Sequence, residues 1–137
     1  MPIDVTQQPL AAACWAENRI DIIGIGPDLQ LYHNSWNGSS WEPAWGSLGG
    51  SFSNAAPAII AWAPDSLGTF GIDDDTSEAV YKSWDGSTWG SSWVPFAGGT
   101  FQRPVVVDAW APDRLDIFGI DATNDAMIHQ SVMTRSG

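Results

Sequence analysis

The sequence predicts an all-β chain of four-stranded antiparallel sheets, and three observations carry that prediction. A tryptophan-rich unit at 35–50, SWNGSSWEPAWGSLGG, returns 48 residues later as SWDGSTWGSSWVPFAGG at 83–99. A second marker reads CWAENRIDIIGI at 14–25, AWAPDSLGTFGI at 61–72 and AWAPDRLDIFGI at 109–120, with its tryptophans 47 and 48 residues apart. Composition agrees, since nine Trp, 14 Gly and 9 Pro in 137 residues suit short strands and tight turns. No window carries a sustained helical period with start and stop signals.

A period of roughly 40 to 50 residues is the size of one four-stranded blade, and such a unit cannot bury both faces alone. The expected fold is therefore a β-propeller segment of about three blades, one unit over 1–137 with repeats at about 9–56, 57–103 and 104–137. Its ring is expected to close by homo-oligomerisation. Three blades per chain make six in a dimer and nine in a trimer, and six lies within the common range of roughly four to eight, so a dimer is favoured over a trimer. An excised piece of a longer wheel is the remaining alternative.

Each repeat opens with a proline and a small apolar run, at 9–13, 57–61 and 104–109, expected to form a first strand ending at Trp15, Trp62 or Trp110. A turn such as Ala111-Pro112-Asp113 leads to a second strand such as 115–120. In the first copy Ile20, Ile22 and Gly24 alternate with Asp21, Ile23 and Ile25. Both faces are thus largely apolar, as a blade packed between two neighbours requires. Third strands are expected at 31–36, 80–84 and 127–132. Asn37-Gly38 and Asp85-Gly86 then read as two-residue primed hairpin turns, with 41–48 and 89–96 covering the fourth strands.

The third repeat stops short, for Val132 stands where Trp36 and Trp84 stand and no further tryptophan follows. Residues 1–8 lie where a fourth strand would precede Pro9. They are expected to complete a blade begun by another C-terminus, which would remove an exposed edge.

Sixteen acidic side chains against 5 Lys plus Arg give a formal net charge of −11. That charge opposes nucleic acid and anionic membrane surfaces as partners, and aromatics without a basic groove do not make a single-strand stacking platform. No apolar run approaches the length that crosses a bilayer, so no membrane insertion is expected. The N-terminal MPIDVTQQP has neither a basic n-region nor an apolar h-region. A soluble product made in the cytoplasm is expected, with any release by a route other than a signal peptide. Cys14, the one cysteine, lies in an apolar run and is expected to be a buried thiol.

The recurrence of RLDIFGI-like strands, a polar loop, Tyr32-His33 or Ile128-His129, then WNGSSW or WDGSTW, a further Trp and Gly-Gly resembles the bacterial propeller lectins of the Photorhabdus type, a tandem-repeat fucose-binding family. The resemblance spans about 9–131. It implies a wheel that binds fucose and related sugars in pockets between blades, hence glycan partners, and short fucose lectins of this kind close their rings by trimerising. The polar loops differ between copies, Gly26-Pro27-Asp28 in one and Asp73-Asp74-Asp75 in another, so equivalent sites are not expected.

Sugar recognition needs an aromatic face for the pyranose C–H patch and a few fixed polar groups for hydroxyls. Trp36, Trp41, Trp84 and Trp89 flank the hairpin turns and are candidates for that face; core or inter-blade packing is an even alternative for each. Trp45 and Trp93 fit either role, whereas Trp15, Trp62 and Trp110, at the ends of apolar strands, read as packing. His33, Tyr81 and His129 share one aligned position and are candidate hydroxyl donors, against an equal or larger expectation of a structural role. Asn34, Lys82 and Gln130 fall on the opposite face. Asp21 and Asp116 match each other inside apolar strands, where a lone carboxylate is costly. Pairing with Arg19 or Arg114 is the leading role for them; if they act on ligand, they would accept from a sugar hydroxyl, and Gly68 in the second copy predicts that not every junction binds.

The acidic loops at 73–78 and 121–125 lack the alternating ligands and glycine of a calcium loop, so a solvated loop and no metal or cofactor is the expectation. No nucleophile elbow, zincin or phosphate-loop motif is present. The acids repeat with the blades, whereas a catalytic pair must be unique and asymmetric. Non-enzymatic, multivalent binding is expected, ahead of a protein-interaction scaffold and a glycosidase fragment.

Overall fold

A computed structural model describes residues 10–52, 57–95, 99–101, 105–112 and 114–133. The chain is all-β. The first sheet holds β1 (Ala11–Ala13), β2 (Ile20–Ile25), β3 (Leu31–Trp36) and β4 (Gly46–Gly49) in sequence order. The second repeats that order with β5 (Ala58–Ala63), β6 (Ser66–Ile72), β7 (Ala79–Trp84) and β8 (Val94–Pro95). The third holds β9 (Val106–Ala111), β10 (Arg114–Ile120) and β11 (Met127–Met133), three strands among the described residues. All pairings are antiparallel. The first strands stand side by side, β1 against β5 and β5 against β9, so the sheets are the successive blades of a propeller segment.

Alternation along the second strands assigns each face to one neighbour. In blade 1, Ile23 and Ile25 join Leu31, Leu48 and Phe52 against Ile59 and Val80 of blade 2. Phe70, Ile72 and Ala79 on the other face of blade 2 meet Val105, Leu115 and Ile117 of blade 3. Fully burying each such side chain stabilises by roughly 1.5–3 kcal/mol. The glycine of the recurring F-G-I has a packing reason: a Cβ on Gly71 would lie 2.7 Å from Cδ1 of Phe52, which lies over it from the preceding repeat.

Several expectations are corrected. The Asn-Gly and Asp-Gly segments are not two-residue primed turns. Only the glycine of each is left-handed, with φ of 99° at Gly38 and at Gly86. The loops are longer, closed by isolated bridges pairing Trp36 with Trp41 and Trp84 with Trp89. The Asn37 carboxamide accepts from the N–H groups of Ser39 and Ser40, and Asp85 from Ser87 and Thr88, so a side chain does the work of a second left-handed residue. The fourth strands are shorter than the expected spans, starting at Gly46 and Val94 rather than at a tryptophan. Cys14 is exposed, because β1 ends at Ala13 and the thiol lies beyond it, donating to the Ala16 carbonyl at 3.0 Å. Trp110 is not packed but 67% exposed. The expected strand at 1–8 lies outside the described residues, as do Pro9, Phe96, Pro104 and Asp113.

Candidate functional site

Asp21 and Asp116 each organise the same group of side chains. Asp21 is 1% exposed on β2, on the face that turns to blade 2. Its Oδ2 accepts from Trp15 Nε1 at 3.0 Å and its Oδ1 is 2.8 Å from His33 Nε2. An ionised carboxylate only accepts, so Nε2 carries the hydrogen and Nδ1 is left for other contacts. Arg19 Nε lies 3.6 Å from Oδ2, buried but without a hydrogen-bond partner. The strand register explains the grouping: Asp21 and His33 share one face of the β2–β3 pair, and the turn after β1 brings Trp15 back over it.

Blade 2 closes over this group. Trp84 lies 5.7 Å, centroid to centroid, from Trp15, and the Arg19 guanidinium sits 5.2 Å from the Trp15 ring and 5.7 Å from the Trp84 ring. Trp89 meets His33 edge-on at 5.2 Å. One junction therefore gathers a guanidinium beside two indoles, a buried carboxylate and an imidazole. Each carboxylate oxygen keeps a lone pair beyond the bond it already accepts.

On β10 the second copy is built from Asp116. Trp110 Nε1 donates to its Oδ2 at 2.6 Å, His129 Nε2 to its Oδ1 at 2.9 Å and Ser131 Oγ to the same oxygen at 2.8 Å. Arg114 Nε lies 3.5 Å from Oδ2, its Nη2 donates to Ser131 Oγ, and its guanidinium stacks 4.9 Å from the Trp110 ring. The hydrogen bonds from His129 and Ser131, with smaller help from Trp110 and the Arg114 charge, hold the Asp116 carboxyl down at about 2. The His129 side chain is 46% exposed against 16% for His33, and Phe118 stacks on it at 4.7 Å.

Blade 2 has lost the group. Ser66 and Gly68 stand where Arg and Asp stand in the other copies. A Cβ at Gly68 would overlap the Trp62 ring, so that indole occupies the space the carboxylate would need. Trp62 and Tyr81 pack against the blade 2/blade 3 core, Tyr81 stacking on Phe70 at 6.0 Å.

The candidates separate accordingly. Asp21, His33, Trp84 and Trp89 come together at one junction; Asp116 and His129 lie on the open face of blade 3; Tyr81 is in neither group. Trp36 and Trp41 pair with each other at 5.8 Å away from both, with Trp41 40% exposed. Trp93 is a structural ring, its Nε1 donating to the Leu48 carbonyl at 3.0 Å and its ring meeting Phe52 in a T-shaped contact at 4.9 Å. Trp45 is partly buried. Asp73 is spent on its own loop, accepting from Asp75 N, Thr76 N and Thr76 Oγ1. Sequence reasoning set Trp15 and Trp110 aside as packing and saw the arginines only as partners of the acids. The signal for them was their joint behaviour: Arg and Asp appear together in two copies and vanish together in the third.

No protein-family model matches the chain and no curated protein matches it. Solved structures do. The chain is similar to SapL1 lectin in complex with α-methyl fucoside, at 16% identity and a TM-score of 0.70 over 94% of this chain and 44% of that one. It is similar to the lectin of Aleuria aurantia, described as a fungal lectin of six-bladed β-propeller fold, at 21% identity and a TM-score of 0.61 over 94% and 48%. It is also similar to a fucose lectin from Kordia zhangzhouensis in complex with methyl-fucoside, at 12% identity and a TM-score of 0.68 over 92% and 93%. The chain thus spans about half the length of the first two and nearly all of the third. What this likeness shows is the shared β-propeller fold.

Proposed function

We propose that this chain is a non-enzymatic lectin that binds fucose or a related sugar on glycoconjugates at the junction of blades 1 and 2. The observation that carries this reading is the setting of Arg19: its guanidinium lies beside both Trp15 and Trp84, and its Nε is buried and without a hydrogen bond beside Asp21. A pyranose offers a C–H patch to an aromatic ring and hydroxyls to a few fixed polar groups. Trp84 and Trp89 supply the ring faces, Arg19 the donor side, and His33 Nδ1 with the remaining lone pairs of Asp21 the acceptors. Asp21, His33 and Trp84 stand on strands, which fixes that part of the group before binding and lowers the ordering cost.

Fucose as the sugar rests on two supports, the tandem pattern resembling lectins of the Photorhabdus type and the fold shared with solved fucose lectins. Binding rather than turnover follows from repetition. Asp21 and Asp116 sit in like surroundings, whereas a glycosidase needs two carboxyls in one site whose environments push their pKa values apart. Each pocket would be weak alone, and several on one wheel would raise avidity by roughly 10²–10⁴.

The test is a glycan array read beside a tryptophan-fluorescence titration with methyl α-L-fucoside. Binding of fucosylated glycans with a saturable fluorescence change is expected, lost in Trp84→Ala. A clean array at high protein concentration, with fluorescence unmoved, overturns the reading.

A further inference from the structure

Three lysine and arginine side chains lie among the described residues, and two of them are matched to an acid. Arg19 stands against Asp21 and Arg114 against Asp116. Lys82 has no carboxylate partner among the described residues. It is partly buried at the junction of blades 1 and 2, where its Nζ donates to the Leu48 carbonyl at 2.8 Å and lies 5.4 Å from the centre of the Trp93 ring. Burial pushes the ammonium below its ordinary pKa, the response of a cation that has left water without gaining an anion.

The Leu48 carbonyl does not require this charge, because Trp93 Nε1 already donates to the same oxygen at 3.0 Å. An ammonium carries three N–H donors, so the bond to Leu48 leaves two to spare. Asn34 and Gln130 hold the aligned position in the other copies, and the charge therefore belongs to the junction that Lys82 faces. That junction is the one proposed for sugar. Gly46, two residues before Leu48, pairs with His33 across β3 and β4. Lys82 Cγ lies 3.9 Å from where a Cβ on Gly90 would stand, and the adjacent Trp89 ring meets His33. Arg19 and Lys82 thus bring two cations to the junction that holds the Asp21 carboxylate.

We propose that Lys82 is a specificity-determining residue of this junction, selecting a glycan that carries a carboxylate or sulfate ester within reach of Nζ, on the bound sugar or on the sugar linked to it. The inference rests on the proposed sugar function and adds the class of sugar. The spare N–H groups of Nζ donate to the anionic oxygens, and such charge-assisted bonds are stronger than those to neutral hydroxyls. The net charge of −11 does not prevent this. At 0.1 M salt exposed charges more than about 10 Å away are largely screened, whereas a direct contact with Nζ is screened much less.

The experiment is calorimetric titration of the full chain at neutral pH with two matched pairs. One is methyl α-L-fucoside beside its monosulfate esters; the other is a fucosylated oligosaccharide with and without a sialic acid, which separates carboxylate from sulfate. Each is run on the parent, on Lys82→Gln, which keeps a neutral donor for the Leu48 carbonyl, and on Lys82→Arg, which keeps the charge. In at least one pair the parent should bind the anionic member about tenfold more tightly than the neutral one, an advantage that shrinks as salt is raised. The ratio should fall to about one in Lys82→Gln and persist in Lys82→Arg. Because each ratio is taken within one protein, a general weakening of the fold does not move it. A parent ratio of one or less in both pairs, or an advantage that survives Lys82→Gln, overturns the proposal. Neutral fucoside bound without any anionic advantage keeps the lectin and discards this role of Lys82. Binding of none of these sugars discards both.

Discussion

Trp15 Nε1 stands 3.0 Å from Asp21 Oδ2, and the same pair recurs on blade 3 as Trp110 and Asp116 at 2.6 Å. In both copies the indole N–H takes one carboxylate oxygen and leaves the other to a histidine. Trp15 and Trp110 are thus positioning residues for the acids of blades 1 and 3. The first of these groups lies under blade 2, and the second lies open.

Removing Asp21 leaves the Trp15 N–H and His33 without their acceptor and Arg19 without its ion-pair partner in a part-buried junction. Each buried polar group so stranded costs about 1–3 kcal/mol. Asp21→Ala should lower the unfolding free energy by at least that much and abolish the internal sugar site; denaturant melts beside a fucoside titration check both.

Trp84→Ala strips one wall from the Arg19 guanidinium. A cation–π contact is worth about 0.5–2 kcal/mol and an aromatic pair about 0.5–1.5 beyond area burial, so affinity at this site should drop about tenfold or more. Trp84→Phe should recover part of it. Equal affinity in parent and Trp84→Ala, read by calorimetry, would remove Trp84 from the site.

Gly68→Ala places a methyl where the Trp62 ring lies. Overpacking of this kind costs about 1–3 kcal/mol. The same change at exposed Gly99, whose Cβ would meet nothing within 4 Å but whose φ is 96°, measures backbone strain alone and serves as the comparison by chemical denaturation.

The Asp116 carboxyl is held at about 2, below its unfolded value of about 3.9. A depressed carboxyl pKa contributes stability that is fully present above the unfolded value and is lost as pH falls from there through about 2. The Asp116 carboxylate should therefore stay ionised from neutral pH to about 4, and carboxyl-carbon NMR of Asp116 should show its titration only below that. Asp116→Asn should remove this acid-range dependence.

Two donors from blade 2 reach the Leu48 carbonyl of blade 1, Lys82 Nζ at 2.8 Å and Trp93 Nε1 at 3.0 Å. Lys82→Met leaves the indole in place and should cost about 0.5–1.5 kcal/mol. Trp93→Ala removes the bond and the ring over Phe52 together and should cost about 3–5 kcal/mol, the larger of the two in any thermal or denaturant melt.

The blades were legible because their causes are local. Alternation in IDIIGI and its copies places apolar side chains on both faces, and the 47- and 48-residue spacing repeats the unit. The hairpin loops were misread at short range for an equally local reason: Asn37 and Asp85 bond the loop N–H groups through their side chains, which makes a second left-handed residue unnecessary. Pairing of the acids with arginine was legible from Asp21 beside Arg19, and the loss of the acid from blade 2 from Gly68.

By itself the sequence determined the repeat, the strands and the chemistry each blade carries, since period and alternation act within one unit. Only the tertiary structure decided which blade's tryptophans cover which blade's acid. Trp84 and Trp89 reach Trp15 and His33 across more than a full repeat, and a periodic sequence looks the same whether that neighbour lies within the chain or outside it. Packing breaks the equivalence, burying the Asp21 group under blade 2 and leaving Trp110 in the open.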